Sequence, residues 1–211
     1  MSKINEVAEL VEKGKAKLVG PAVQEAIDEG DDPVAILNDG MISAMSVVGE
    51  KFKNGEIFVP EMLVAARAMK KGVEVLKPHL ASGSTGALGK VIIATVSGDL
   101  HDIGKNLVAM MIESAGFEVI DLGVDVPAAK IIECYKENPD VKIIALSALL
   151  TTTMPALKET VEELNAADFR GNIKVMVGGA PITEAFAEEI GADGYSDDAA
   201  SAASLAKKLA A

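Results

Sequence analysis

The chain has 211 residues, of which 49% are hydrophobic, and this is enough to bury the interiors of two small domains. The formal net charge of -12 argues against a nucleic-acid surface, which needs clustered Lys and Arg. One Cys and two His are too few for a closed zinc site, which usually takes four such ligands. No apolar run reaches the roughly 20 residues that span a bilayer, and the N-terminus lacks a signal-peptide core. We therefore expect a cytoplasmic protein with no nucleic-acid and no membrane partner.

The first part of the chain, from residue 4 to about 79, carries apolar residues at helical spacing, as in Leu37, Met41 and Met45. Breakers that divide this part into roughly four helices lie at Gly14, Gly20-Pro21, Gly30 and the stretch from Asn54 to Pro60. Asp32 followed by Pro33 is typical of a helix N-terminus. Residues 1–80 are therefore predicted to form a small four-helix bundle.

The stretch ASGSTGALG, residues 81–89, is small, polar and Gly-rich, which is typical of a linker between domains. Its end, GSTGALGK, resembles a phosphate-binding loop only in part. It has one residue too many between its glycines, and it precedes a predicted strand instead of following one. We therefore place the domain boundary here.

Residues 90–211 alternate short β-rich runs with helical stretches. Strands are predicted at Val91–Ser97, Phe117–Leu122, Lys142–Ser147, Ile173–Val177 and Ala192–Tyr195. Helices are predicted at Lys105–Ser114, Ala128–Glu137, Met154–Asn165, Thr183–Ile190 and Ala199–Leu209. This alternation predicts an α/β, Rossmann-like (flavodoxin-like) doubly wound domain with a five-stranded parallel sheet. Ligands of such sheets bind outside the carboxyl ends of the strands.

The loop after the first strand contains the pattern DxHxxGK, with Asp99, His101 and Gly104. A neutral imidazole on such a loop is a good donor to a transition metal. Asp99 could accept a hydrogen bond from the other ring nitrogen and fix the tautomer, while Gly98 and Gly104 would let the backbone approach a large planar ligand. The alternative is that Asp99 caps a turn and His101 only hydrogen-bonds the backbone.

Two later loops lie at the same predicted edge. The first runs from Ser147 to Pro155 and carries several hydroxyl groups, although Thr153 could instead cap the following helix. The second contains Gly178-Gly179, which leaves room for a bulky group or simply forms a tight turn.

In this order, DxHxxGK, SxLxT and GG resemble the cobalamin-binding domain of methionine synthase and of corrinoid methyltransferase proteins, most of all the methylamine-type group. The helical first part is similar to the bundle that precedes this domain in those proteins. The resemblance implies a cobalamin or related corrinoid whose own benzimidazole leaves the cobalt and is replaced by His101. Asp99 would hold the other ring nitrogen, and Thr153, where methionine synthase has serine, would complete a relay.

The resemblance also implies which residues surround the cofactor. Those at the sheet and its slot are Gly98, Asp99, His101, Asp102, Ile103, Gly104, Ser147, Leu149, Thr151, Thr152, Thr153, Gly178, Gly179, Asp198 and Ala199. The residues of the bundle that would shield the upper face of the corrin are Phe58, Met62, Ala65 and Met69. For the last three, plain packing inside the bundle is the alternative.

The activity implied is methyl carriage, with the cofactor alternating between cob(I)alamin and methylcobalamin and with proton uptake through His101 and Asp99. The carrier has no complete active site of its own and serves a substrate-specific methyltransferase, an acceptor methyltransferase and a reductive activator protein. Methylamines, methanol, betaines and methoxylated aromatics are all possible donors in methylotrophy. A cobalamin-responsive sensor, the cobalamin subunit of a mutase and a doubly wound module without cobalt are the alternatives.

Overall fold

A computed structural model describes residues 3–80 and 88–211, so that residues 81–87 of the predicted linker lie outside the described residues. The chain divides into two compact units. The helical unit holds the described residues up to Leu80 together with Ser114–Gly116, and the sheet unit holds Leu88–Glu113 and Phe117–Ala211. Within the described ranges, no helix has the length and apolar character needed to cross a bilayer.

The helical unit contains four helical stretches, as the sequence predicts. Their segments are α1 (Lys3–Glu12), α2 (Ala16–Asp28), α3 (Pro33–Ala35) continued by a π-helix (Ile36–Ile42) and α4 (Ser43–Lys53), and α5 (Val59–Leu76) followed by a 3-10 turn (Lys77–His79). Helix α1 ends just before Gly14, whose φ is +63°. The predicted N-cap is confirmed, because the Asp32 carboxylate accepts from the Ala35 amide at 3.1 Å.

The prediction of a break at Gly20-Pro21 is wrong, because both residues lie inside α2. A proline inside a helix costs about 3 kcal/mol, but α2 buries an apolar stripe that includes Val19, Val23 and Ala26. Glycine before the proline also removes the Cβ that disfavours helical geometry at that position. Burial of the stripe therefore outweighs the local preference.

The sheet unit alternates strands and helices as predicted. Its strands are β1 (Lys90–Thr95), β2 (Glu118–Asp121), β3 (Val141–Ser147), β4 (Lys174–Gly178) and β5 (Gly194–Ser196). Its helices are α6 (Ile103–Ser114), α7 (Ala128–Glu137), α8 (Met154–Ala166), α9 (Glu184–Glu189) and α10 (Ala199–Ala210), with a 3-10 turn at Arg170–Asn172. The first strand is shorter than predicted, because Val96 makes only an isolated bridge to Val126.

The strand order is β2-β1-β3-β4-β5 and all strand pairs are parallel, which confirms the doubly wound prediction. Thr95 lies opposite Ser147, and Ser147 lies opposite Gly178. The loops after β1, β3 and β4 therefore leave the same edge of the sheet. The chain winds in opposite directions from β1 and β3, and this switch in direction opens the crevice in which ligands of such sheets bind.

Close packing of α2 against α5 depends on Gly72. A Cβ built there would lie 2.5 Å from Met41 Cε and 2.8 Å from Val19 Cγ1. Alanine is preferred over glycine in a helix by about 1 kcal/mol, whereas overpacking costs about 1–3 kcal/mol. We expect Gly72→Ala to lower the free energy of unfolding by up to about 2 kcal/mol in denaturant titrations followed by far-UV circular dichroism.

Gly104→Ala is the control, because Gly104 also lies in a helix, α6, and a Cβ there would meet nothing within 4 Å. Its effect should stay within about 1 kcal/mol. Equal stability of the two variants would contradict this account of the helix contact.

Candidate functional site

The centre of the site is the carboxylate of Asp99, on the loop of residues 96–102 that follows β1, here called the histidine loop. Its side chain is 0% exposed. One oxygen accepts from the His101 amide at 3.1 Å and from His101 Nδ1 at 2.7 Å. The other accepts from the Leu149 amide and from Thr153 Oγ1, each at 2.7 Å. The carboxylate therefore joins the loop after β1 to the loop after β3.

These donors fix the charge of Asp99. Burial alone would raise its pKa, but the hydrogen bonds from Leu149, Thr153 and His101 outweigh burial and lower the pKa well below the usual range. An ionised carboxylate can only accept hydrogen bonds. His101 Nδ1 must therefore donate, and the neutral ring keeps its lone pair on Nε2.

The imidazole of His101 is placed to meet a ligand. Its side chain is 49% exposed, although the carboxylate that holds it is buried. Large apolar side chains are also exposed on the histidine loop, on the loop after β3 and at the first residue of α6, among them Leu100, Leu149 and Ile103, the last at 85%. Exposed apolar groups beside an oriented imidazole are suited to a large ligand that presents an apolar face.

Thr153 occupies the N-cap position of α8, but its side chain makes no capping bond. Its hydroxyl instead lies 2.7 Å from Asp99 Oδ2 and 2.9 Å from the Leu150 carbonyl. The capping alternative is therefore wrong. The side chain is a buried support for Asp99.

Thr95 and Asp125 are not singled out by any sequence pattern. Thr95, the last residue of β1, is buried and donates from Oγ1 to the His101 carbonyl at 2.9 Å. Asp125, on the loop after β2, has φ of 53°, a left-handed conformation that Asp tolerates better than most residues. Its carboxylate accepts from the Gly98 amide at 2.7 Å, and its amide donates to the Asp99 carbonyl at 3.0 Å. Both residues hold the histidine loop.

The glycines of the predicted site have different roles. Gly98 has φ of +79° and lets the histidine loop turn. Gly104 lies in the first turn of α6, and a Cβ there would meet nothing within 4 Å, so that its absence leaves open space. At Gly178 and Gly179 a Cβ would collide with the Ser196 and Ala148 carbonyls, respectively. Glycine is required at both positions, because the neighbouring backbone comes too close to leave room for a side chain.

Other predicted residues of the sheet unit have protein partners or lie at the surface. Asp102 is exposed and accepts from the Asn106 side chain at 3.2 Å. Thr151 and Thr152 are exposed. Asp198 caps α10, with its two oxygens accepting from the amide and hydroxyl of Ser201, and the adjacent Ala199 is buried.

The four residues predicted to shield the corrin lie in the helical unit. Met62, Ala65 and Met69 are buried in its apolar core, as the packing alternative has it. Phe58 precedes α5 and its side chain is 67% exposed. Of the four, Phe58 is the one whose side chain is accessible within this unit.

Among the residues that the structure describes, no group of three or more His, Cys, Asp or Glu could hold a metal ion. A metal bound at His101 would therefore have one protein donor from these residue types. One imidazole fits a metal that arrives with its other positions already filled by a macrocycle. The donor and its apolar surroundings therefore fit a corrinoid.

Comparison with known proteins agrees with this fit. A family model described as "B12 binding domain" matches residues 89–204, and a second with the same description matches residues 3–77. Trimethylamine corrinoid protein 2 of Methanosarcina acetivorans is 47% identical over 189 residues, which are 88% of this chain and 86% of the relative. Dimethylamine corrinoid protein 1 of the same organism is 44% identical over 210 residues, which are 99% and 97% of the two chains.

The fold is also similar to a crystal structure of the methanol:cobalamin methyltransferase complex of Methanosarcina barkeri. The TM-score is 0.84 at 31% identity, and the match covers 99% of this chain and 79% of the other. The chain belongs to the corrinoid protein family with B12-binding domains, and its cofactor is a corrinoid.

Asp99→Asn tests the charge at the centre of the site. We expect the free energy of unfolding to fall by about 1–3 kcal/mol near neutral pH, because charge-assisted hydrogen bonds are lost. The pKa of Asp99 is lower in the folded than in the unfolded chain, so the wild-type advantage is complete above about pH 4 and is lost as the pH falls through the folded pKa. Urea titrations from about pH 7 to about pH 2.5 measure both effects.

The signal can be restricted to the sheet unit, because the chain has no Trp and both tyrosines, Tyr135 and Tyr195, lie in that unit. Tyrosine fluorescence is therefore the probe. Asp102→Asn, at an exposed position, is the control. A wild-type advantage over Asp99→Asn that stays constant down to the lowest pH would contradict an ionised Asp99.

Proposed function

We propose that this corrinoid protein carries a methyl group from a methyltransferase-bound donor to a second methyltransferase, and that His101 Nε2 is the lower ligand of the cobalt. The observation that carries the proposal is the hydrogen bond of 2.7 Å between His101 Nδ1 and Asp99. It orients a half-exposed imidazole with its free lone pair directed away from the buried carboxylate. When bound, the corrinoid supplies a cobalt centre that accepts and releases the methyl group.

The chain's own residues set the basicity and direction of that ligand. Asp99 holds Nδ1 and strengthens the donor character of the ring. The Leu149 amide and the Thr153 hydroxyl hold Asp99 in turn. Thr153 is therefore an anchor of the carboxylate. Its other contacts are the main-chain amide and carbonyl of Leu150, and neither of these acts as an acid or a base that could pass a proton on.

The same geometry locates any proton taken up at the site. Asp99 stays ionised because of its four hydrogen bonds and its lowered pKa. With no metal on His101, Nε2 would be the ring position still able to accept a proton, because Nδ1 already donates to the ionised carboxylate. A proton taken up here would therefore be held on the imidazole and not on the carboxylate.

For the rest of the cofactor, we propose that the slot at the sheet edge holds the nucleotide tail. Ser147 presents a half-buried hydroxyl at the end of β3, and Gly104 leaves open space beside the histidine loop. Of the candidates in the helical unit to shield the upper face of the corrin, we propose Phe58, because its side chain is exposed in that unit.

We propose a methylamine as the methyl donor. The proposal is supported by the relatives named for trimethylamine and dimethylamine, which are 47% and 44% identical to this chain. The partners would then be a methylamine-specific methyltransferase, an acceptor methyltransferase and a reductive activator protein.

His101→Ala tests the axial ligand. The probe is cobinamide, a corrinoid without the benzimidazole-bearing tail, so that a nitrogen ligand can come only from the protein. The loaded wild-type protein should show nitrogen coordination in the electron paramagnetic resonance spectrum of its Co(II) form, and the variant should lose it. His79→Ala is the matched control, because His79 is the other histidine of the chain and is exposed. Nitrogen coordination that persists in His101→Ala would overturn the assignment.

The donor is tested separately with purified methyltransferases specific for trimethylamine, dimethylamine, monomethylamine and methanol. We expect the reduced carrier to support methyl transfer to an acceptor thiol at least about tenfold faster with an enzyme for a methylamine than with the methanol enzyme, because docking surfaces discriminate between partners. The measurement is methylated thiol formed over time. A faster rate with the methanol enzyme would refute the proposed donor.

A further inference from the structure

Thr95 links two parts of the candidate site. Its hydroxyl donates to the His101 carbonyl and lies 2.9 Å from the hydroxyl of Ser147. The residue is 1% exposed, and Ser147 lies directly opposite it in the register of β1 and β3. A buried hydroxyl at the end of one strand therefore contacts the residue that bears the metal donor and the residue at the neighbouring strand end.

The direction of these bonds follows from the number of protons. A hydroxyl carries one proton and two lone pairs. Because a carbonyl can only accept, the hydroxyl proton of Thr95 must be donated to the His101 carbonyl. The Ser147 hydroxyl must then donate to Thr95, so that Ser147 presents only lone pairs to any other group.

Thr95 also restrains a part of the histidine that Asp99 does not reach. Asp99 accepts from the amide and the ring of His101, whereas Thr95 holds the carbonyl on the other side of the same residue. The amide and the carbonyl of His101 are both bonded to buried side chains, so these two bonds restrain its main chain from both sides. The direction of the ring depends on that main chain.

We propose that Thr95 is a positioning residue for the metal donor, which acts by holding the His101 main chain and not by binding the nucleotide tail. The inference rests on the proposed role of His101 as the cobalt ligand. It connects Thr95 with the orientation of His101, the proposed lower ligand. The neighbouring Ser147 is instead assigned to the slot proposed for the nucleotide tail.

The test compares Thr95→Val, which keeps the shape of the side chain but loses the hydroxyl, with Thr95→Ser, which keeps the hydroxyl. Two probes are used, cobalamin and cobinamide, a corrinoid that lacks the nucleotide tail. We expect Thr95→Val to weaken histidine-ligated binding of both probes by about tenfold, the loss expected for one buried hydrogen bond. Thr95→Ser should return both affinities to within about twofold of the wild type.

A second readout needs no cofactor. In the ligand-free protein, hydrogen exchange at the His101 amide should be about tenfold faster in Thr95→Val, because the loop around its bond to Asp99 loosens. Exchange at the Ile144 amide in the sheet core should be unchanged. Equal acceleration at both positions would indicate general destabilisation and would overturn a local positioning role.

Thr160→Val is the matched control, because Thr160 is buried in α8 and its hydroxyl also donates to a main-chain carbonyl, that of Ala156, at 2.7 Å. It should leave both affinities unchanged. If Thr95→Val behaves like this control, or weakens only cobalamin and not cobinamide, the proposal is wrong. Thr95→Ala provides a second variant without the hydroxyl if Thr95→Val does not fold.

The outcome is distinguishable from failure of the proposed function. If the wild-type protein shows no nitrogen ligation with either probe, the role of His101 fails before Thr95 is considered. If the wild type and Thr95→Ser are ligated through nitrogen and Thr95→Val is weakened, both inferences stand.

Discussion

A buried, ionised carboxylate is costly unless every part of it is hydrogen-bonded, and Asp99 meets that condition with four donors. Two of the donors are main-chain amides, whose positions are set by the backbone of two loops. The charge can therefore persist only where those loops come together. In return, the carboxylate determines the tautomer of His101 and the nitrogen that remains available to a metal.

The sheet brings these loops together. β1 and β3 are neighbours although β2 and two helices separate them in the chain. Their carboxyl ends lie at the point where the direction of winding reverses, and side chains from both ends can meet there. Leu149 and Thr153 reach Asp99 across about 50 residues of sequence for this reason. The position of the site is thus a property of strand order.

Different parts of this arrangement are accessible to sequence reasoning to different degrees. The contact between Asp99 and His101 is local, because two residues separated by one position on a tight loop are close in any conformation of that loop. The alternation of strands and helices is likewise visible in the periodicity of apolar residues. Thr153 is assigned to the site only by the resemblance to known corrinoid proteins. Its contact with Asp99 depends on strand pairing, which one sequence does not reveal.

Other features leave no recognisable pattern in one sequence. Thr95 is a β-branched residue at the end of a buried strand and looks like ordinary strand composition. The left-handed backbone of Asp125 appears only once the loop is built. In the helical unit, Gly20-Pro21 has the composition of a turn, yet tertiary burial keeps it helical. Each of these depends on neighbours distant in the chain.

The collision that a Cβ at Gly179 would have with the Ala148 carbonyl, at 1.9 Å, bears on how such proteins are recognised. Any side chain at this position would push β4 and the loop after β3 apart, whether or not a cofactor is present. The double glycine is therefore a requirement of this backbone path, and finding it in another doubly wound domain says little about what that domain binds. The proposed ligand rests instead on the contact between His101 and Asp99.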